Sequence, residues 1–166
     1  MENQQTLPPV RAGIGYDIHR LAPNLRCILG GVKIPSDVGP VAHSDGDVLA
    51  HAVADAVLGA AGLPDIGHFF PPNDPACDGI DSMKIVARAV AEAARVGYRV
   101  GNVDAAVIAE RPKIGKYVPA MRENLGAALG IPAALVGVKA TTNEKIGALG
   151  AGEGIAVHAV CLLFKI

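Results

Sequence analysis

The chain has no tryptophan, and only 4% of its 166 residues are aromatic, although 51% are hydrophobic. A core without large rings has to be filled by Ala, Val, Ile and Leu, which suits helices packed tightly on a sheet. No excess of one charge exists either: 15 basic residues face 16 acidic ones, the formal net charge is −1, and there is no basic run. The electrostatic footprint of a nucleic-acid binder is missing, so any phosphate recognition has to be local. Long apolar runs are absent. The stretch from Ala52 to Leu63 is interrupted by Asp55 and Gly59 and falls short of the roughly 20 residues that cross a bilayer. Neither nucleic acid nor membrane is an expected partner. Cys27, Cys77 and Cys161 are odd in number and widely spaced, which speaks against a disulfide framework or a CxxC metal pair and predicts buried, reduced thiols in the cytoplasm. Residues 1–9 are polar, with no Arg and no apolar stretch. They read as a disordered extension rather than a targeting segment, which leaves 10–166 as a single domain.

What is present has the punctuation of mixed structure. Val10 to Ile18 reads as a strand, and Cys27–Leu29 and Val32–Ile34 flank Gly30-Gly31 as a hairpin. Ser44 followed by Asp47 resembles a capped helix start, with the helix running to about Ala61 and stopping at Gly62. Prolines and glycines between Asp65 and Asp81 predict a long irregular loop, of a length that tends to be functional. Helical spacing follows over Ser82 to Val96 and over Gly115 to Leu129. Strands are expected at Arg99 to Ala109, Val136 to Ala140 and Ile155 to Phe164. The order predicts an α/β protein, an α+β sandwich with helices on one face of a mixed sheet.

Chemistry concentrates in three places. In Asp17-Ile18-His19, residues i and i+2 of an extended chain project from one face, so a carboxylate and an imidazole converge. Asp47, His51 and Asp55 recur at i, i+4 and i+8 and would line one polar stripe of an otherwise apolar helix, beside His43 and Ser44 at an anion-friendly helix N-terminus. Asp17, His19 and His51 together offer one oxygen and two imidazole nitrogens, a set that suits zinc and leaves a fourth position open for catalysis. The third place is Lys139 to Lys145, a strand end whose hydroxyls and carboxylate could bind phosphate oxygens and a second hard cation.

Taken in order, several segments resemble the 2-C-methyl-D-erythritol 2,4-cyclodiphosphate synthase family. They are Gly15 to Leu21, His43-Ser44-Asp45-Gly46-Asp47, His51, Asp65-Ile66-Gly67, Phe70-Pro71, Arg111-Pro112-Lys113, Lys139-Ala140-Thr141-Thr142, Glu144-Lys145 and Gly152-Glu153-Gly154-Ile155. The resemblance covers nearly everything from residue 11 onward. It implies a homotrimer with its sheets around the threefold axis and an active site at each subunit interface. Conversion of 4-diphosphocytidyl-2-C-methyl-D-erythritol 2-phosphate to the cyclic diphosphate would release cytidine monophosphate (CMP). Asp17, His19 and His51 would hold zinc, and Glu144 would help hold a second divalent cation, Mg2+ or Mn2+. His43 and Thr142 match the transition-state stabilisers.

By the same resemblance, Asp17, Ile18, His19, His43 and Ser44 would bind substrate around the metal. Asp65, Ile66, Gly67, Phe70, Pro71 and Asp74 would contact the erythritol part. Ala109, Pro112, Lys113, Ile114 and Gly115 of a neighbouring subunit would cradle cytosine, and Thr141, Thr142, Asn143 and Glu144 would take the phosphates. Two departures stand out. Pro72 occupies a position where the family commonly has Asp, and Ala148 and Ala151 replace the Phe and Arg of many members. Without that Arg, anion binding on the threefold axis is expected to be weak. On the residues alone, another zinc phosphoesterase or a metal-organised assembly protein would also fit.

Overall fold

The computed structural model describes residues 8–71 and 73–166. Residues 1–7 of the expected extension and Pro72 of the loop lie outside them; the Pro9 carbonyl accepts from Lys165 N at 3.0 Å. A long strand β1 (Val10–Pro23) leads into the short strands β2 (Cys27–Leu29), β3 (Val32–Ile34) and β4 (Val38–Pro40), then helix α1 (Val48–Ala61) and single-turn α2 (Ile66–Phe69). After them come α3 (Ser82–Arg95), β5 (Tyr98–Ile108), α4 (Val118–Leu129), β6 (Val136–Thr141), α5 (Gly147–Gly150) and β7 (Gly154–Lys165). Five strands form one mixed sheet in the order β4-β1-β7-β5-β6, in which β5 and β6 run parallel and the other neighbours antiparallel. The hairpin β2–β3 stands apart.

Strand alternation decides which side of β1 carries chemistry. Gly13, Gly15, Asp17 and His19 turn toward the helices, whereas Ile14, Tyr16 and Ile18 point away and are 70%, 49% and 49% exposed. A Cβ on Gly13 would stand 2.2 Å from the Ala56 carbonyl oxygen, and one on Gly15 only 1.9 Å from that of Ala52. Helix α1 therefore lies backbone against backbone on β1, and it is buried everywhere except at Asp55 and Gly59. A helix apolar on nearly every side belongs inside a core. This close approach brings His51, one residue before Ala52, onto Asp17. Gly15→Ala is accordingly expected to force α1 off the strand. The cost should be about 3 kcal/mol, the upper end of overpacking penalties, read as a lowered denaturation midpoint together with weakened metal binding. An unchanged midpoint would contradict the packing assignment.

Several expectations need correction. Ser44 does not cap α1; Asp47 does, accepting from Ala50 N at 3.0 Å. Asp47 is fully buried and also accepts from Gly30 N (2.9 Å) and Gly31 N (2.7 Å) at the hairpin turn. Both glycines have positive φ there, as the two-residue turn demands. Burial pushes the Asp47 carboxyl up to about 6 against the pull of those three amides. The expected polar stripe on α1 is thus dispersed: Asp47 ties the hairpin to the helix start, and Asp55 accepts from Ile66 N at 2.8 Å to anchor α2. The loop from Asp65 to Asp81 is not irregular throughout, because Asp65 and Asp74 cap α2 and a 3-10 turn at Pro75–Cys77. The helix expected from Gly115 begins as a 3-10 turn and becomes regular at Val118. The three cysteines are free, but only Cys27 and Cys161 are buried. Among the described residues no helix is long and apolar enough to cross a membrane.

Candidate functional site

At the end of β1, Asp17 Oδ2 lies 3.3 Å from His19 Nδ1 and 3.0 Å from Nδ1 of His51, which reaches it from α1. One ligand atom from each of the three residues can be chosen within 4.8 Å of the others. Burial alone would raise the Asp17 carboxyl, but the two imidazoles beside it outweigh that and hold the group at about 2. His19 moves oppositely: burial works to lower its pKa, and Asp17 raises it on balance. His19 Nδ1 is buried and finds no hydrogen-bond partner. An orphaned ring nitrogen beside a carboxylate and a second imidazole has what a divalent cation needs, so the donor set fits a metal.

The other side of the His51 ring is held as well. Its Nε2 lies 3.0 Å from Ser82 Oγ and 3.2 Å from Ser44 Oγ. Ser82 opens α3 and is completely buried. Its hydroxyl donates to Asp45 Oδ1, and its amide donates to Asp45 Oδ2 at 3.1 Å. Backbone bonds from Asp45 N to the Ile80 carbonyl (3.1 Å) and from Gly79 N to the His43 carbonyl (2.8 Å) zip the two loops together. Ser82 escaped sequence reasoning because it stands far from His51 along the chain, and no spacing rule links a helix start to a ligand on another helix.

His19, His43, Ser44 and His51 border a cavity of about 320 Å³ with Ile18, Ile66, Phe70 and Cys77. Asp74 lies beside His43 in a small adjoining pocket. Ala109, Pro112, Lys113, Ile114, Gly115, Thr141 and Thr142 line a different cavity, of about 220 Å³. The two lie far apart within one chain. Ile18 pairs with Ala156, Ala156 with Ile108, and Ile108 with Thr141, so three strand spacings, about 14 Å, separate β1 from Thr141. Pro71 is half-buried and Gly67 exposed. Lys139 pairs with Asp104.

Beyond Thr141 the chain makes a tight turn in which Glu144 and Lys145 both have positive φ, 49° and 62°, without being glycine. Glu110, another residue that spacing could not reveal, holds that turn: its Oε1 accepts from Asn143 N (3.0 Å) and Lys145 N (3.3 Å). Thr142 Oγ1 donates to Glu144 Oε1 at 3.4 Å. Among the described residues, Glu144 joins no second cluster of three metal-ligating groups within the chain.

The model of the YgbB family matches residues 10–164. The chain is 56% identical over 151 residues to the 2-C-methyl-D-erythritol 2,4-cyclodiphosphate synthase of Symbiobacterium thermophilum, covering 91% of this chain and 96% of that one. It is 59% identical over 152 residues to the protein of the same name from Akkermansia muciniphila, covering 91% and 90%. Among solved structures it is similar to IspF of Plasmodium falciparum in a CDP complex, with a TM-score of 0.84, 36% identity, and coverage of 96% of this chain and 99% of that one.

Proposed function

Since this chain belongs to the YgbB family and has 2-C-methyl-D-erythritol 2,4-cyclodiphosphate synthase activity, that of a phosphorus–oxygen lyase, we propose that Asp17, His19 and His51 hold the zinc ion of that reaction. The observation that carries this is the convergence of the three groups, with His19 Nδ1 buried and unpartnered. The substrate is 4-diphosphocytidyl-2-C-methyl-D-erythritol 2-phosphate. Its own 2-phosphate oxygen attacks the β-phosphorus, and the new phosphorus–oxygen bond closes the ring. The bond from the β-phosphorus to the oxygen bridging the α- and β-phosphates breaks, and CMP leaves with that oxygen. Zinc, when bound, supplies positive charge beside the diphosphate oxygens.

Because the nucleophile belongs to the substrate, the protein needs no Ser or Cys nucleophile, only positioning and charge stabilisation. His43, which lines the larger cavity, and Thr142, which lines the smaller one, stabilise the charge that develops on the transferring phosphate oxygens. Asp65, Ile66, Gly67, Phe70, Pro71 and Asp74 enclose the erythritol part. The segment from Ala109 to Gly115 reads cytosine through backbone groups, which suits a cavity without an aromatic platform; the CDP complex of the Plasmodium falciparum protein supports a nucleotide there. Thr141, Asn143 and Glu144 take the phosphates, with Glu144 helping to hold Mg2+ or Mn2+.

A single chain separates these halves by about 14 Å, so the complete site forms between subunits of a homotrimer. The exposed apolar side chains on the helix-free face of the sheet, Ile14, Tyr16, Ile18 and Val160 among them, supply the surface that such an assembly covers. Residues 10–166 act as one domain, in the cytoplasm. The test is incubation of purified protein with substrate, zinc and magnesium, followed by phosphorus NMR. Cyclic diphosphate and CMP in equal amounts are expected; a hydrolysed diester would assign a water-activating zinc phosphoesterase instead, and no turnover would refute the assignment.

A further inference from the structure

We propose that Asp45 and Ser82 act as positioning residues, fixing the tautomer of His51 so that Nδ1 is the nitrogen left bare for the metal. A serine hydroxyl has one proton to give. That of Ser82 is given to Asp45 Oδ1, a charged acceptor that also takes the Ser82 amide. Ser82 Oγ can then only accept from His51 Nε2, 3.0 Å away, so Nε2 carries the ring proton. A neutral imidazole has one such proton, and Nδ1 keeps its lone pair, turned toward Asp17 Oδ2 at 3.0 Å. Two acceptors so close with no proton between them repel each other unless a cation joins them. The relay thus prepares the side of the ring that a metal would occupy. Its members come from four segments: the loop before α1, the start of α3, α1 itself and β1.

Ser44 alone cannot do this. Its oxygen accepts from Gly46 N at 3.1 Å, and among the described residues no carboxylate or carbonyl fixes its proton. Facing Nε2 at 3.2 Å, that proton could donate to the ring and impose the opposite tautomer, with hydrogen on Nδ1. The commitment of the Ser82 proton to Asp45 prevents this and leaves the Ser44 hydroxyl to turn into the cavity that it borders.

This inference rests on the metal-ligand reading of His51, but its first test does not. Long-range proton–nitrogen correlation of the neutral histidine rings in the metal-free protein should give His51 with hydrogen on Nε2. Ser82→Ala and Asp45→Asn should each populate the Nδ1–H form. The zinc ion alone, titrated in competition with a chromophoric chelator, should then bind about 10- to 100-fold more weakly to both variants, the usual effect of losing an outer partner of a metal ligand. Excess zinc should restore turnover with KM for substrate unchanged, which a general loss of structure would not allow. Asp45→Asn keeps the buried serine and guards against misfolding of Ser82→Ala. An unchanged tautomer, or zinc affinity within about threefold of the parent in both variants, would overturn the relay. If the unmodified protein takes up no zinc, the metal assignment falls, and the tautomer measurement still decides the relay by itself.

Discussion

His51→Ala is expected to leave a folded protein that carries almost no zinc and turns over its substrate at least ~10³-fold more slowly, a loss of about 4 kcal/mol of transition-state stabilisation. The unmodified chain should carry about one zinc, following the rule of three protein ligands with one open position. Of the three proposed ligands, His51 is the most deeply buried, with its side chain 8% exposed, and its Nε2 lies 3.0 Å from the buried Ser82 hydroxyl oxygen. Its removal leaves Asp17 and His19 as an adjacent pair on one strand, too few donors to retain the ion against a chelator. The fold should survive, because the rest of α1 is packed by Ala, Val and Leu, and loss of one buried polar side chain costs about 1–3 kcal/mol out of a typical stability of 5–15. Elemental analysis and thermal unfolding check the two statements. Full zinc occupancy in the variant would remove His51 from the ligand set.

The second large effect is a recovery. His19→Ala alone and Thr142→Ala alone should each be nearly inactive, yet mixing them under conditions that exchange subunits should bring activity back. In a trimer whose sites each take the metal half from one chain and the Thr142 half from its neighbour, random shuffling leaves about a quarter of the sites with both halves intact. The physical ground is the three strand spacings between β1 and Thr141, a distance that a compact diphosphate centre does not bridge within one chain. Activity in the mixture near a quarter of the parent level is the expected reading. A mixture no more active than its components, or a fully active monomer in sedimentation, would refute shared sites.

The cluster of Asp17, His19 and His51 was legible because two short-range periodicities agree. Period two on a strand puts Asp17 and His19 on one face, and the helix that follows carries His51. The same reasoning went wrong at Asp47 and Asp55, since helical spacing says which residues share a stripe but not what each carboxylate meets. Asp47 met the amides of Gly30 and Gly31, and Asp55 met that of Ile66. Ser82 and Glu110 carried no signal at all, because each acts on a partner 31 or more residues away.

By itself, then, the sequence determined the mixed α/β character, the Gly30-Gly31 hairpin, the donor types of the metal site and the family. The first three follow from local rules of turn conformation, side-chain alternation and ligand chemistry, and the family from the resemblance of its motifs in order. Tertiary structure alone decided that α1 lies against Gly13 and Gly15, that Asp45 and Ser82 meet beside His51, and that Asp17 and Thr141 sit three strand spacings apart. Those outcomes depend on which backbone groups and side chains meet across long chain separations, and such meetings are set by the packing of the whole domain rather than by any window of residues.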